Sequence, residues 1–320
     1  QELYAGVAIQ VLENLGNGTY AVATTGSGSM NASPNYGFGL IVTTFGHSGG
    51  NEIFVSNDGD LNHFWKSLPM DDAGKTGWKL VESAGVSGCS IGVSGISQAC
   101  MGIAASDFDR NGYIDLGVTN FHNEPMNLFL QNEAGFFTDE ALRFGLVENS
   151  KDMLGFGTQA ADYDNDGWAD IAVLNGHIYD ARYAEIPFAM QPQLFRGGLN
   201  GFKIQPSASL SGYWKRSQLG RTLAMFDWNR DGKMDLLANH LDQPLALLQN
   251  ESDSGNWLQV ELVGTTSERE AIGARIEIES GNQRWVGWQI AGDGYMCTNE
   301  SLIHLGLGSH DVIDKLTVHW

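Results

Sequence analysis

The 320-residue chain is short of positive charge: 18 Lys and Arg stand against 38 Asp and Glu, for a formal net charge of −20. Nucleic-acid binding depends on neutralising phosphates with Lys and Arg, so this balance argues against that class of partner. It suits instead a surface that attracts cations. No stretch approaches the roughly 18 uninterrupted apolar residues of a membrane-spanning helix. The opening QELYAGVAIQ has neither an initiator Met nor a basic n-region, which reads as a mature or trimmed product. Three cysteines are odd in number and too few for a disulfide scaffold. Cys89 and Cys100 flank the Gly/Ser-rich SIGVSGISQA and can close it in an oxidising compartment, while two unpaired thiols fit the spacing equally well. An apolar fraction of 42% and nine Trp exceed what an acidic disordered tail carries, so the chain is expected to fold.

The acids are not spread evenly. DYDNDGWAD, residues 162–170, places Asp162, Asp164, Asp166 and Asp170 around a single glycine, Gly167. Like charges a few ångströms apart repel, so such a loop is costly unless protons or a cation offset the repulsion. Oxygen ligands at alternate positions suit calcium, and the glycine lets the chain wrap around it. For one such loop a solvated polar turn is the alternative.

The loop recurs. DFDRNGYIDLGVTN begins at Asp107, DYDNDGWADIAVLN at Asp162 and DWNRDGKMDLLANH at Asp227, 55 and 65 residues apart. Each follows a short run of small and apolar residues (MGIAAS, FGTQAA, RTLAMF) and precedes NLFLQN, QLFRGG or LALLQN. A fourth, degenerate copy begins at Thr44, where Thr44, Gly46 and Ser48 replace the acids. An EF-hand needs Glu at loop position twelve and then a helix. Here position twelve is Val118, Val173 or Ala238, the acid comes at position nine, and the following residues alternate as a strand does. The loop is therefore expected to join two antiparallel strands. Units of about 60 residues built from short strands predict an all-β fold, the blades of a β-propeller, in which radial repetition protects sheet edges. The 41 glycines suit its tight turns and close blade packing.

At these residues the sequence resembles the FG-GAP (or VCBS) repeat family, known from the integrin α-subunit propeller and many secreted bacterial proteins. GNWLQVELVG, AIGARIEI, GDGYMCTNES and HLGLGSHDVIDKLTVHW resemble an ASPIC/UnbV domain. Repeats followed by that module are the layout of the cartilage acidic protein family. The resemblance implies a propeller over residues 1–254 and a small β module over 255–320; IQVLENLGNGTY resembles the last two strands of a blade, so either the ring is small or the chain begins inside a longer protein. It implies a secreted, extracellular, cell-surface or periplasmic protein without catalysis. It also implies calcium (Ca2+) held by Asp107, Asp109, Asn111 and Asp115, by Asp162, Asp164, Asp166 and Asp170, and by Asp227, Asn229, Asp231 and Asp235, with the main-chain carbonyls of Tyr113, Trp168 and Lys233 completing the shells. Adhesion, matrix or structural assembly is the function implied, with a protein or glycan ligand at the propeller surface or self-association in an extracellular assembly. The Thr44 copy has lost its ligands and is expected to hold no ion. In the module, SEREAIGA lacks the Asn usual after Ser, and Cys297 stands where Ser is expected.

Other readings keep a place. GCSIG, residues 88–92, matches a nucleophile elbow, which requires a strand, a sharp turn and a helix; its surroundings read as a Gly/Ser loop instead. His177 and His240 follow the acidic-loop strands and read as structural residues. Sequons stand at Asn17, Asn31, Asn250 and Asn299. Trp65, Trp78 and Trp214 can stack on sugars in a lectin-like propeller or pack between blades. A buried acid pair in the central channel would favour an enzyme or accessory protein.

Overall fold

The alternation of each repeat is realised as an antiparallel sheet. The computed structural model describes residues 10–22, 34–46, 49–69, 78–210 and 212–320. A hairpin of β1 (Leu12–Asn14) and β2 (Tyr20–Val22) comes first. The first full unit is β3 (Gly37–Thr43), β4 (Glu52–Asn57), β5 (His63–Pro69) and β6 (Trp78–Glu82). The second is β7 (Ile103–Ser106), β8 (Asp115–Val118), β9 (Asn127–Gln131) and β10 (Phe137–Asp139). The third is β11 (Gly155–Ala161), β12 (Asp170–Asn175), β13 (Gln193–Arg196) and β14 (Lys203–Ile204), and the fourth has three strands, β15 (Gly220–Phe226), β16 (Asp235–His240) and β17 (Ala246–Leu248). Every acidic loop joins the first and second strands of its unit, as the acid spacing predicts.

The units stack face to face. Ile41, Phe54 and Phe64 of the first pack on Ile103, Leu116 and Phe129 of the second. The opposite face of the second, Ala104 and Leu128, packs on Ile171 and Phe195 of the third. Ala172 and Leu174 of the third pack on Leu223 and Leu236 of the fourth. The middle units are thus buried on both faces, and every residue of β8, β9 and β12 is buried. The architecture is all-β and propeller-like, with β3, β7, β11 and β15 as successive neighbours along the inner layer.

One residue type sets that inner spacing. A Cβ on Gly39 would overlap the carbonyl oxygen of Met101, one on Gly102 that of Phe156, and one on Gly157 would lie 2.6 Å from that of Arg221. These glycines occupy the same place, five residues before each loop's first position, and each touches the next unit's first strand. The fourth unit has Thr222 at that place.

Residues from 256 onward form β18 (Asn256–Val260), β19 (Arg275–Ser280), β20 (Gln283–Trp288), β21 (Ala291–Gly292), β22 (Ile303–Gly308) and β23 (Lys315–His319). β18 pairs with β22, and β19 lies between β20 and β23 over a core of Ile276, Ile278, Trp285, Ile303 and Leu307. β21 leaves this core and pairs with β3, Ala291 opposite Val42 and Gly292 opposite Ile41, making a fifth strand on the first unit. The chain then crosses the inner strands: Gly294 exchanges two backbone hydrogen bonds with Ile103, Asn299 donates to Gln159 Oε1, and the Met225 N–H donates to Asn299 Oδ1. Tyr295, buried, meets Phe38 and Phe156 edge-on. This segment therefore packs across β3, β7, β11 and β15.

Several readings that the sequence left open are decided here. Cys89 and Cys100 are free thiols, both buried in the core between the first two units, so the loop between them is not closed by a disulfide. GCSIG follows the four-residue helix Ala84–Ser87 and runs on in turns, so the elbow's strand–turn–helix order is missing. Trp65 is fully buried and not free to stack on a sugar, and Trp214 packs, partly buried, against the fourth unit's core. Asn299 and Asn250 spend their side-chain amides inside the fold, Asn250 on the Tyr163 carbonyl. The sequon at Asn31 and Ser48 of the degenerate loop lie outside the described residues.

Candidate metal centre

Each acidic loop is first a piece of backbone engineering. The fourth position is left-handed in all three, Arg110 (φ 59), Asn165 (φ 55) and Arg230 (φ 58), and so is the sixth, Gly112 (φ 90), Gly167 (φ 93) and Gly232 (φ 78). A non-glycine residue held there costs on the order of 1 kcal/mol and persists only where its surroundings demand it. The carboxylates supply the demand. Gly112, Gly167 and Gly232 donate their N–H groups to Asp107, Asp162 and Asp227, the first acids of their loops. The acid at position nine clamps both ends of the turn. Asp115 accepts from the N–H groups of Phe108 and Gln131, Asp170 from those of Tyr163 and Gly197, and Asp235 from those of Trp228 and Asn250.

The degenerate loop separates this clamp from the ligands. Thr44 and Gly46 replace acids, yet Glu52 stands at position nine and its Oε2 accepts from the N–H of Phe45, 2.6 Å away. The turn keeps its fastening where the cation ligands are gone.

Two loops gather carboxylates. One oxygen each from Asp107, Asp109 and Asp115 lie within 4.8 Å of one another, as do oxygens of Asp162, Asp164 and Asp166. Burial pushes Asp107 up to about 7 and Asp162 up to about 8, and it raises Asp109, Asp115 and Asp164 as well. The oxygens Asp107 Oδ1 and Asp164 Oδ1 are buried without a hydrogen-bond partner. A desolvated carboxylate oxygen among like charges fits a hard divalent cation, so the donor set passes this test for calcium at both loops. Asp170 lies outside its loop's cluster and is pushed up to about 7 by burial.

The third loop is arranged differently. Among the described residues Asp227, Asp231 and Asp235 do not converge as the other two sets do. Asp227 Oδ2 accepts from Gln259 Nε2 as well as from Gly232, and Asn229 Nδ2 donates to Asp231. Asn111 likewise donates to Asp109 while its Oδ1 accepts from the Tyr113 N–H. Tyr113, Trp168 and Lys233, whose carbonyls are the expected main-chain ligands, each follow a left-handed glycine, and Lys233 spends its ammonium on the Ser252 carbonyl.

One residue in this site escaped the sequence reading. Arg196, in QLFRGG, reaches Asp164 at 2.5 Å and Asp166 at 2.8 Å, so the loop richest in acids already has a half-exposed guanidinium beside it. The signal was its position at the end of the third strand, which hairpin geometry returns to the loop's side. His177 and His240 prove structural. His177 Nδ1 lies 2.9 Å from the Tyr179 carbonyl, and His240 Nε2 lies 2.8 Å from the Tyr213 hydroxyl.

Comparison with known proteins agrees with this layout. Residues 107–173 match the family described as FG-GAP-like repeat, and residues 264–320 match ASPIC and UnbV. The chain is 28% identical over 300 residues to cartilage acidic protein 1 of Xenopus tropicalis, covering 89% of this chain and 41% of that protein. It is 27% identical to the Mus musculus protein of the same name and 26% identical to the Homo sapiens one, again over 89% of this chain. It thus spans about two fifths of the length of these relatives. With FG-GAP-like repeats leading into an ASPIC/UnbV segment, the chain is similar to cartilage acidic protein 1 over most of its own length.

Proposed function

We propose that this chain is an extracellular, calcium-stabilised propeller scaffold that binds or assembles rather than catalyses, with residues 1–254 as the propeller and 255–320 as a docked module. The observation that carries the proposal is the pair of carboxylate clusters on equivalent hairpin loops, each with a buried, unpartnered carboxylate oxygen. Calcium bound there would neutralise the clustered charge and join the two strands of each hairpin. The residues of this chain do the rest. Asp107, Asp109 and Asp115 present oxygens at one loop, Asp162, Asp164 and Asp166 at the other, and the left-handed glycines turn the backbone around them. The extracellular reading rests on the relatives' name and on the repeat type. Among the described residues, no helix is long and apolar enough to cross a membrane.

A catalytic reading finds less support. Asp293 is pushed up to about 8 by burial, yet its carboxylate accepts from Asn299.

Isothermal titration of chelator-treated protein with calcium, followed by melting with and without the ion, tests the proposal. Saturable binding with a raised melting temperature is expected. Absence of binding heat together with superimposable melts would overturn it.

A further inference from the structure

The ASPIC/UnbV segment does not merely neighbour the acidic loops; it is built onto them. Gly306 lies against the loop at Asp162 so closely that a Cβ there would overlap Asp162 Oδ2 and come within 2.6 Å of the Asn165 Cα. Two module backbone donors are taken by the same loop: Gly255 N–H reaches the Asp164 carbonyl at 2.9 Å and Gly308 N–H the Asn165 carbonyl at 2.8 Å. His304 Nε2 lies 2.8 Å from Asn165 Oδ1, and Asn165 Nδ2 donates to the Gly232 carbonyl of the third loop. Gln259 of β18 donates to Asp227 Oδ2 at 2.8 Å, and Arg230 pairs with Glu300 at 2.5 Å. At the Asp107 loop, Arg110 reaches the Arg284 carbonyl at 3.0 Å and stacks over Trp285.

The groups the module holds are therefore the ones that give the loops their shape. The left-handed residues Arg110, Asn165 and Arg230 each make a module contact, and so do the first acids Asp162 and Asp227. A cation that fixes the same backbone must favour the seated module, and by thermodynamic reciprocity the seated module must favour the cation by the same factor.

We propose that seating of residues 256–320 and calcium filling of the loops are one linked equilibrium, the module acting as a lid that reads the occupancy of the loops beneath it. The proposal rests on the calcium reading given above and adds to it a regulated surface: without the ion the lid loosens from the loops.

The test uses the full chain and calcium alone. Hydrogen exchange by mass spectrometry compares chelated and calcium-loaded protein at β18 and β22, with β5 of the first unit as reference. Calcium is expected to slow exchange about tenfold in β18 and β22, within the usual range of coupling between sites, and to leave β5 unchanged. His304→Leu, which removes the module's contact to Asn165 and touches no candidate ligand, is expected to weaken calcium binding about tenfold by calorimetry. Should that variant fail to fold, Gly255→Ala, whose methyl would meet the Asn165 carbonyl and no carboxylate, serves instead with a smaller loss in the same direction. If calcium binds while exchange in β18 and β22 is unchanged and the folded variant keeps wild-type affinity, the linkage is overturned and the calcium sites stand. If no calcium binds, the calcium reading falls and the linkage with it.

Discussion

His304 of the module holds its imidazole 2.8 Å from the side-chain oxygen of Asn165, the left-handed residue at the centre of the second acidic loop. The ring is buried, and burial pushes its pKa down to about 4, the nearby Asp227 charge opposing the shift only in part. A histidine neutral in the fold but titrating near its ordinary value in the unfolded chain binds fewer protons when folded. Its contribution is therefore complete above about pH 6.5 and is lost as pH falls towards 4. The melting temperature is expected to drop over that interval. His304→Gln, which keeps a donor for Asn165, is expected to cost about 1 kcal/mol at pH 7 and to flatten the acid-side drop. Melts of both proteins from pH 4 to 7 check this.

The loop acids act with the opposite sign. Asp162 is pushed up to about 8 and Asp107 and Asp170 to about 7, so between about pH 4 and these values the folded chain binds more protons than the unfolded one. Chelated protein is therefore expected to lose stability as pH rises from about 5 to 8. Excess calcium replaces the protons as the neutralising charge and is expected to remove that fall. Paired melts across the range distinguish the two curves, and parallel curves would separate the ion from these carboxylates.

Arg196 complicates any ranking of the sites by their count of acids. Four carboxylates at the Asp162 loop would favour it on charge alone, but a guanidinium already pairs with two of them. Arg196→Gln is expected to raise calcium affinity at that loop about tenfold while lowering the melting temperature of chelated protein. Calorimetry reads the first effect and a melt in chelator the second.

Glu52 offers a control for the clamp itself. Glu52→Ala should destabilise the first unit by about 2 kcal/mol through the orphaned Phe45 N–H, and by the same amount with or without calcium. Asp115→Ala should cost more in calcium than in chelator, because that residue both clamps two N–H groups and faces Asp107 and Asp109. Urea titrations in both conditions give the comparison.

The inner-layer glycines should be intolerant where a neighbour touches them. Gly102→Ala forces a methyl into the Phe156 carbonyl and is expected to cost about 3 kcal/mol. Thr222→Gly, at the equivalent place in the fourth unit, should change stability by less than about 1 kcal/mol. Equal losses at both positions would show that backbone propensity, and not contact between units, decides these sites.

Much of this arrangement could be read from residue order because its causes are local. Acids at alternate positions, a glycine at the sixth and an acid at the ninth specify a turn between two strands, and repetition specifies stacked units. The small-residue run before each loop also held the inner-layer glycines, although their reason emerges only when Gly102 meets Phe156. What composition could not show is nonlocal. Arg196 joins its loop through a third strand, Asn165 and His304 lie 139 residues apart in sequence, and Cys89 and Cys100 share a core without sharing a bond. The clamp role of Asp115, Asp170 and Asp235 was hidden because a backbone acceptor and a cation ligand are the same residue type in the same place.

The pairing of β21 with β3 has a consequence for the order in which the chain is made. Ala291 and Gly292 complete the edge of a sheet whose other strands all lie before residue 83. During synthesis at about 5–20 residues per second, that edge waits on the order of tens of seconds for its last strand. An unpaired strand edge is a template for any passing strand, so the nascent first unit is the stretch most exposed to mispairing with another chain. Its tethering to a late segment also means that these repeats do not mature one at a time in the order they emerge. The unit of residues 37–82 is finished only once residue 292 has emerged.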